Sequence, residues 1–194
     1  MEDVEIETAP LVEHSKEDFC SDVLSQFCNS NNEHHLHICA VIGAMSQELV
    51  EQNLPLTHTA YFGATCSSLD RLSSSIDPPG HLLDALLTIM SLVLDRFSHA
   101  VLRTKYCYLS ELIIRILGMK SVGVNGVVPG MKFATRLLIV REKVGWADVA
   151  QLYNVLTSYI SDERLKRVIS TSMLPTHSFF CPATQVPESP TTNT

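Results

Sequence analysis

Apolar residues recur at helical spacing along most of this chain. In the most regular stretch, Ile38, Ile42, Met45 and Leu49 fall on one face of a predicted helix, with polar residues elsewhere. Asn53-Leu54-Pro55 ends this helix, because the residue before a proline is pushed out of the α region. A helix with one apolar face must pack against neighbours to bury it. The pattern therefore predicts a stack of helices.

The predicted helices form pairs. Successive pairs start about 47 to 49 residues apart, at the long end of the ~40–47 residues of HEAT and armadillo units. We expect an all-α fold, a right-handed HEAT/armadillo-like α-solenoid of antiparallel helix pairs. The pairs are 33–52 with 57–73, 80–98 with 100–118, and 129–143 with 146–160.

The pattern divides the chain into three parts. Residues 1–15 are acidic and show no sustained period, so we expect a disordered arm. Residues 16–168 carry the helical repeats, beginning with a helix that ends near Cys28. Residues 169–194 are rich in proline and threonine, which predicts a low-complexity, disordered tail.

One segment carries conflicting signals. Asn125-Gly126 between valines is typical of a β-hairpin turn, but strong helices flank it on both sides. We therefore predict a loop over 120–128, with Pro129 at the first position of the next helix.

The charge is unevenly distributed. The net charge of −7 combines 15 acidic and two basic residues in 1–95 with six acidic and 12 basic residues in 96–194. The two halves therefore face different partners or each other. The acidic half is unsuited to lie on nucleic acid, whereas the basic half permits phosphate contacts.

Six cysteines occur singly, without a CxxC pair. Most fall beside apolar residues of predicted helices, so we expect reduced core thiols of an intracellular protein. The most apolar uncharged run, Ala85 to Leu94, is far shorter than the ~20 residues of a membrane span, and we expect no membrane partner.

Two clusters contain residues of the kinds found in metal sites and phosphate-binding loops. His34, His35 and His37, with Cys28 and Cys39, are residues of the kinds that bind zinc. Their spacing matches no zinc signature, so we expect histidines of a polar helix start and a core cysteine. A small metal-dependent enzyme that uses the three histidines remains an alternative.

The second cluster consists of Gly123, Gly126 and Gly130, followed by Lys132. Neither glycine-rich phosphate-loop pattern is present, and a helix rather than a strand precedes it. For Cys107 as a nucleophile, spacing suggests no partner histidine, and Tyr106 and Tyr108 favour its burial. We expect no catalytic residues, no metal, no cofactor and no enzymatic activity.

Basic residues of the second half are the candidate contacts for RNA or an acidic partner. Rows of such residues on solenoids can bind phosphate backbones, although charges that only solvate a helix face are an equal alternative. The candidates are Arg103, Lys105, Lys132, Arg136 and Lys143.

Three stretches resemble a known family. They are NSNNEHHLHICAVIGAMSQELVEQNLPLTHTAYFGATCSSLDRL, PPGHLLDALLTIMSLVL and MKFATRLLIVREKVGWADVAQLYNVL. They are similar to the N-terminal region of plant ribosomal RNA-processing protein twelve-like proteins, which are large HEAT/armadillo-type solenoids. The resemblance covers about Phe19 to Val168 and contains no catalytic motif.

The resemblance implies a non-enzymatic scaffold of ribosome biogenesis in the nucleus and nucleolus, with shuttling to the cytoplasm. Its implied partners are pre-ribosomal particle proteins, ribosomal RNA and nuclear transport factors, and its implied roles are RNA processing and small-subunit export. Family members are several times longer, so we expect a truncated form. A truncated isoform without the full activity and a generic helical-repeat adaptor for a protein partner are the alternatives. An uncapped repeat end predicts self-association.

Overall fold

The computed structural model describes residues 18–140, 150–151, 153–155 and 157–158. Every regular element in this part of the chain is an α-helix, which confirms the all-α, HEAT-like fold. The predicted arm and tail lie outside the described residues. The helices whose two ends are described are α1 (Phe19–Phe27), α2 (Glu33–Glu51), α3 (His58–Ser73), α4 (Gly80–Leu94), α5 (His99–Thr104), α6 (Tyr106–Leu117) and α7 (Val124–Val140). The described residues among 150–158 are also helical.

The helices form two layers. α2, α4 and α7 pack side by side, and α3 and α6 pack together beside them. α2, α4 and α7 begin at residues 33, 80 and 124, and so lie 47 and 44 residues apart. This spacing agrees with HEAT units of ~40–47 residues. α1 packs along α2 and precedes the first pair.

Side-chain caps define the first three helix starts. Asp18 Oδ1 accepts from the Cys20 N–H at 3.1 Å, and Asn32 Oδ1 accepts from the His34 N–H at 2.9 Å. Thr57 Oγ1 accepts from the Ala60 N–H at 3.4 Å. Each bond satisfies an amide that has no partner within its own helix.

α4 lies at the centre of the core because it packs against α2, α3 and α7. Its apolar side chains are buried on several sides, including Leu83, Leu87, Ile89 and Met90. This agrees with its nearly continuous apolar sequence, since a helix that is apolar all round must be covered on more than one side.

The buried face of α3 includes polar side chains. Tyr61 and Thr65 are fully buried, whereas Phe62 is only partly buried. The Tyr61 hydroxyl lies 2.7 Å from Ser46 Oγ, and Thr65 Oγ1 donates to the Tyr61 carbonyl at 2.7 Å. These hydrogen bonds allow polar atoms to enter the core, which an apolar pattern does not detect.

The predicted single helix over 100–118 is wrong. α5 ends at Thr104 and α6 begins at Tyr106, because Lys105 has φ −108° and ψ 6°. The Lys105 N–H donates to Leu102 O, three residues back instead of four. Leu102 and Leu109 remain buried on either side of this break. The apolar period therefore continues through it and conceals it.

The predicted loop over 120–128 is also wrong in its second half. α7 begins at Val124, so Pro129 is the sixth residue of the helix and not the first. The first turn is fixed from outside the segment: the Gly123 N–H donates to Asp84 Oδ1 of α4 at 2.8 Å. A cap supplied 39 residues away is invisible to local sequence signals.

The cysteines are only partly core residues. Cys20 and Cys66 are buried, and Cys39 is partly buried, but Cys28 and Cys107 are exposed. The predicted burial of Cys28 and Cys107 is therefore wrong: Cys28 follows the last turn of α1, and Tyr108 next to Cys107 is itself 43% exposed. Burial raises the pKa of the Cys66 thiol to about 12.

Candidate functional site

The glycine cluster forms an internal junction between α4 and α7. Asp84 is 6% exposed and is the only carboxylate among the buried side chains of the described residues. A Cβ added to Gly123 or Gly126 would collide with this carboxyl group. The two glycines are thus required by close approach. This interior contact explains the glycines without a phosphate loop.

The ionisation of Asp84 is balanced between opposing effects. Burial raises the pKa of the Asp84 carboxyl above its ordinary value of 3.8, and backbone hydrogen bonds from Gly123 and Gly126 lower it. The nearby His81 also lowers this pKa, but the net direction is upward. Removal from water is therefore the larger effect on this group.

Three arginines of the basic half pair with aspartates of the acidic half. Arg115 contacts Asp70 at 2.6 Å, Arg136 contacts Asp95 at 3.3 Å, and Arg96 pairs with Asp22. Each pair joins residues that lie far apart in sequence, in different elements. The charge asymmetry is therefore partly neutralised within the fold, so that the two halves face each other at these positions.

Two of the predicted contact residues are engaged internally. Besides its pair with Asp95, Arg136 donates to Leu94 O at 3.3 Å, and its Nε is buried without a hydrogen-bond partner among the described residues. Arg103 Nε donates to Val140 O at 3.2 Å. These contacts hold the C-terminal end of α7 against the end of α4 and against α5.

The remaining predicted contact residues lie in different surroundings. Lys105 is exposed at the break between α5 and α6, near Cys66, and its charge acts to lower the pKa of that thiol. Lys132 is exposed on α7 and has neither a hydrogen bond nor an ion pair with the described residues. Lys143 lies outside the described residues. The structure therefore does not bring the candidates together as one row.

Lys132 instead lines a cleft that includes two of the histidines. This cleft, the α1–α7 cleft, has a volume of about 410 Å³ and lies between the end of α1, the start of α2, the middle of α4 and the start of α7. Its polar lining includes Gln26, His34, His35, Thr88, Asn125 and Lys132. The sequence marked His34, His35 and Lys132 separately, but no local signal indicated that they share one cleft.

The two histidines differ in their partners. His34 Nε2 lies 3.2 Å from Thr88 Oγ1, and burial, with the charges of His35 and His37, lowers the pKa of His34. The ring of His35 packs edge-on against Phe27 at 4.9 Å between centroids. Its Nδ1 is buried without a hydrogen-bond partner in the described part of the chain. A buried nitrogen without a partner favours a ligand that can bond to it.

His37 is separated from this pair. Its ring packs against His81 of α4, with 4.7 Å between the centroids. Over the described ranges, no group of three histidine, cysteine, aspartate or glutamate residues is placed to hold a metal ion. The three histidines thus have three different environments, which does not support the alternative of a histidine metal site.

A second groove lies on the outer side of the first helix pair. It has a volume of about 650 Å³, and its floor is formed by small residues of α3, including Ala60, Gly63 and Ala64. A Cβ at Gly63 would meet no described atom within 4 Å. No other element of the described part of the chain packs closely against this position.

These features define a class of protein: a helical-repeat protein whose clefts lie between packed helices. Within the described residues, no helix is long and apolar enough to cross a membrane.

The comparisons with known proteins identify the family. A family model described as RRP12-like, N-terminal HEAT repeats matches residues 5–175, and the chain belongs to this family. The resemblance noted in the sequence is thereby confirmed. A human protein named RRP12-like protein is 26% identical over 140 residues, which is 70% of this chain and 10% of the human protein. The chain thus spans about a tenth of this relative's length. No solved structure matches it.

Proposed function

We propose that this chain is a non-enzymatic scaffold of ribosome biogenesis that binds pre-ribosomal particles in the nucleus and nucleolus. The observation that carries the proposal is the family match over residues 5–175 to RRP12-like N-terminal HEAT repeats. The same proposal includes support for ribosomal RNA processing and for small-subunit export. Export would involve nuclear transport factors and shuttling to the cytoplasm.

RNA contact is the chemical part of this proposal. Lys105 and Lys132 are exposed, and Lys132 is unpaired within the described residues. Such ammonium groups can replace the counterions of a phosphate backbone. Arg103, Arg136 and Lys143 complete the proposed contact set. Arg103 and Arg136 also make internal hydrogen bonds, to Val140 O and Leu94 O, so we propose a smaller share of the RNA contact for them.

The experiment is an affinity purification of the tagged chain from nuclear extract at low and at moderate salt, with RNA and protein both identified. We expect small-subunit precursor RNA and its assembly factors. Recovery of chaperones alone would contradict the scaffold proposal and favour a truncated isoform without the full activity.

A generic adaptor for a protein helix is the second candidate, and the 650 Å³ groove beside α3 favours it. Salt distinguishes the two. Binding of RNA through lysines weakens steeply as salt rises, whereas binding in an apolar groove is nearly indifferent to salt.

Self-association through an uncovered repeat end is a further part of the proposal. Ile139 near the end of α7 is 64% exposed and is a candidate contact. Sedimentation at tens of micromolar tests it, and a monomer would contradict it.

A further inference from the structure

We propose that the α1–α7 cleft binds one nucleotide of single-stranded RNA, with a backbone phosphate on Lys132 and the sugar or base against His35 and Asn125. The inference rests on the proposed function and assigns it a site. It follows from the size of the cleft and from two of its polar groups, the Lys132 ammonium and His35 Nδ1, which have no partner among the described residues.

The cleft has the size for one nucleotide and the walls to hold it. Its volume of about 410 Å³ lies within the ~300–1,000 Å³ that is usual for small-ligand sites. Four helices line it, and His34 is fixed through its contact with Thr88. The Phe27 and His35 rings pack together at one side of the cleft. Aromatic surfaces of this kind can stack on a base of any sequence.

The cationic group of the cleft is Lys132. It is exposed and has no ion pair with a described residue, in contrast to Arg96, Arg115 and Arg136. Val124 and Asn125, in the first turn of α7, also line the cleft. Backbone N–H groups at a helix start favour an anion. The Asp84 carboxyl group already accepts from the Gly123 N–H at this helix start, so Lys132 supplies the positive charge for a phosphate in the cleft.

The remaining polar groups of the cleft suit the uncharged part of a nucleotide. His35 Nδ1 is buried and has no described partner. Pro129 has no N–H, so the Asn125 carbonyl lacks the donor that a helix normally supplies four residues later. A ribose hydroxyl or a base amine can donate to such an acceptor, whereas a simple anion cannot. This combination favours a nucleotide over a phosphorylated peptide, whose side chain offers the phosphate alone.

The test compares three forms of the full chain: wild type, Lys132→Ala and the matched control Lys120→Ala. Lys120 is exposed in the connection between α6 and α7 and does not line the cleft. Both substitutions change exposed side chains, so the fold should be retained, and circular dichroism checks this. The probe is a fluorescein-labelled single-stranded RNA of mixed sequence, and the readout is anisotropy over a range of salt concentrations.

We expect Lys132→Ala to weaken RNA binding about five- to tenfold and to reduce the salt dependence by about one counterion. Lys120→Ala should stay within about twofold of wild type. Photocrosslinking of the bound RNA should place an adduct on the peptide that contains His34 and His35.

The outcomes separate the site from the function. If wild type binds RNA but the two variants behave alike, or the adduct lies elsewhere, the cleft assignment is overturned while RNA binding stands. If wild type binds no RNA, the cleft assignment and the RNA-contact part of the proposed function are both overturned. The affinity purification then decides on the scaffold role separately. Binding of a phosphopeptide that outcompetes the RNA at Lys132 would overturn the choice of a nucleotide.

Discussion

The α4–α7 junction and the outer face of α3 both carry glycines, but the glycines have opposite surroundings. At the junction, Gly123 and Gly126 touch the buried Asp84 carboxyl group, and any side chain there would collide with it. On α3, a Cβ at Gly63 would meet no described atom within 4 Å. The first region is a closed contact between repeats, and the second is an open surface. The same residue type therefore marks a packed interface only where a fixed group lies opposite.

The largest effect is expected from Gly126→Ala. The new methyl group would overlap the Asp84 carboxyl group and separate α7 from α4, and overpacking of this kind should lower the free energy of unfolding by about 3 kcal/mol. Urea unfolding followed by circular dichroism measures it. An unchanged midpoint would show that the junction is looser than the structure indicates.

Asp84→Ala should follow, with a loss of about 2 kcal/mol. The substitution leaves the partly buried Gly123 N–H without its acceptor and removes the external cap of α7. The same urea experiment tests it. Hydrogen exchange at the Gly123 and Gly126 amides gives a local readout, and full protection in the variant would contradict the capping role.

The pH dependence of Asp84 gives a smaller effect with a definite sign. Because the folded-state pKa of Asp84 is raised, this group contributes stability that is present below its unfolded pKa and is lost as pH rises through its folded pKa. Asp84→Asn cannot titrate. Between about pH 4 and about pH 7, the stability of wild type relative to Asp84→Asn should therefore fall. A rise would show that the hydrogen bonds, and not burial, have the larger effect on the pKa of Asp84.

Gly63→Ala is the matched control for Gly126→Ala, and it should be stabilising. Alanine is favoured over glycine inside a helix by ~0.8–1.0 kcal/mol, and the site has room for the methyl group. Thermal unfolding measures the gain. A loss of stability would mean that another part of the chain or a second copy covers the face.

The smallest effect concerns Arg115 and Asp70. Both side chains are about half exposed, so their contact at 2.6 Å should contribute about 0.5 kcal/mol or less. A double-mutant cycle with Arg115→Ala and Asp70→Ala gives the coupling energy. A value well above 1 kcal/mol would show that these pairs hold the repeats together and do more than neutralise charge.

The sequence predicts the helices well where apolar spacing decides them. Ile38, Ile42, Met45 and Leu49 of α2 are all buried as expected. The start of α7 could not be predicted, because its cap is the distant Asp84. The break at Lys105 could not be predicted either, since the apolar period continues across it.

The candidate site was less predictable than the fold. Composition indicated the basic half as a candidate contact region, but it could not show which arginines make internal contacts. Arg136 is bonded to Asp95 and Leu94, whereas Lys132, four residues earlier, is not paired with any described residue. The cleft depends on the meeting of α1, α2, α4 and α7, and only the three-dimensional packing brings His35 and Lys132 to one place.

The pairing of acidic and basic halves bears on the order in which the chain is made. Residues 1–95 carry 15 acidic and two basic side chains, and they are synthesised before Arg96, Arg115 and Arg136. The arginines that pair with Asp22, Asp70 and Asp95 are added later in synthesis. Because salt screens charges beyond ~8 Å at physiological ionic strength, each aspartate attracts its arginine only once the two are close together. The three ion pairs are therefore completed in the order Asp22–Arg96, Asp70–Arg115 and Asp95–Arg136 as the chain is synthesised.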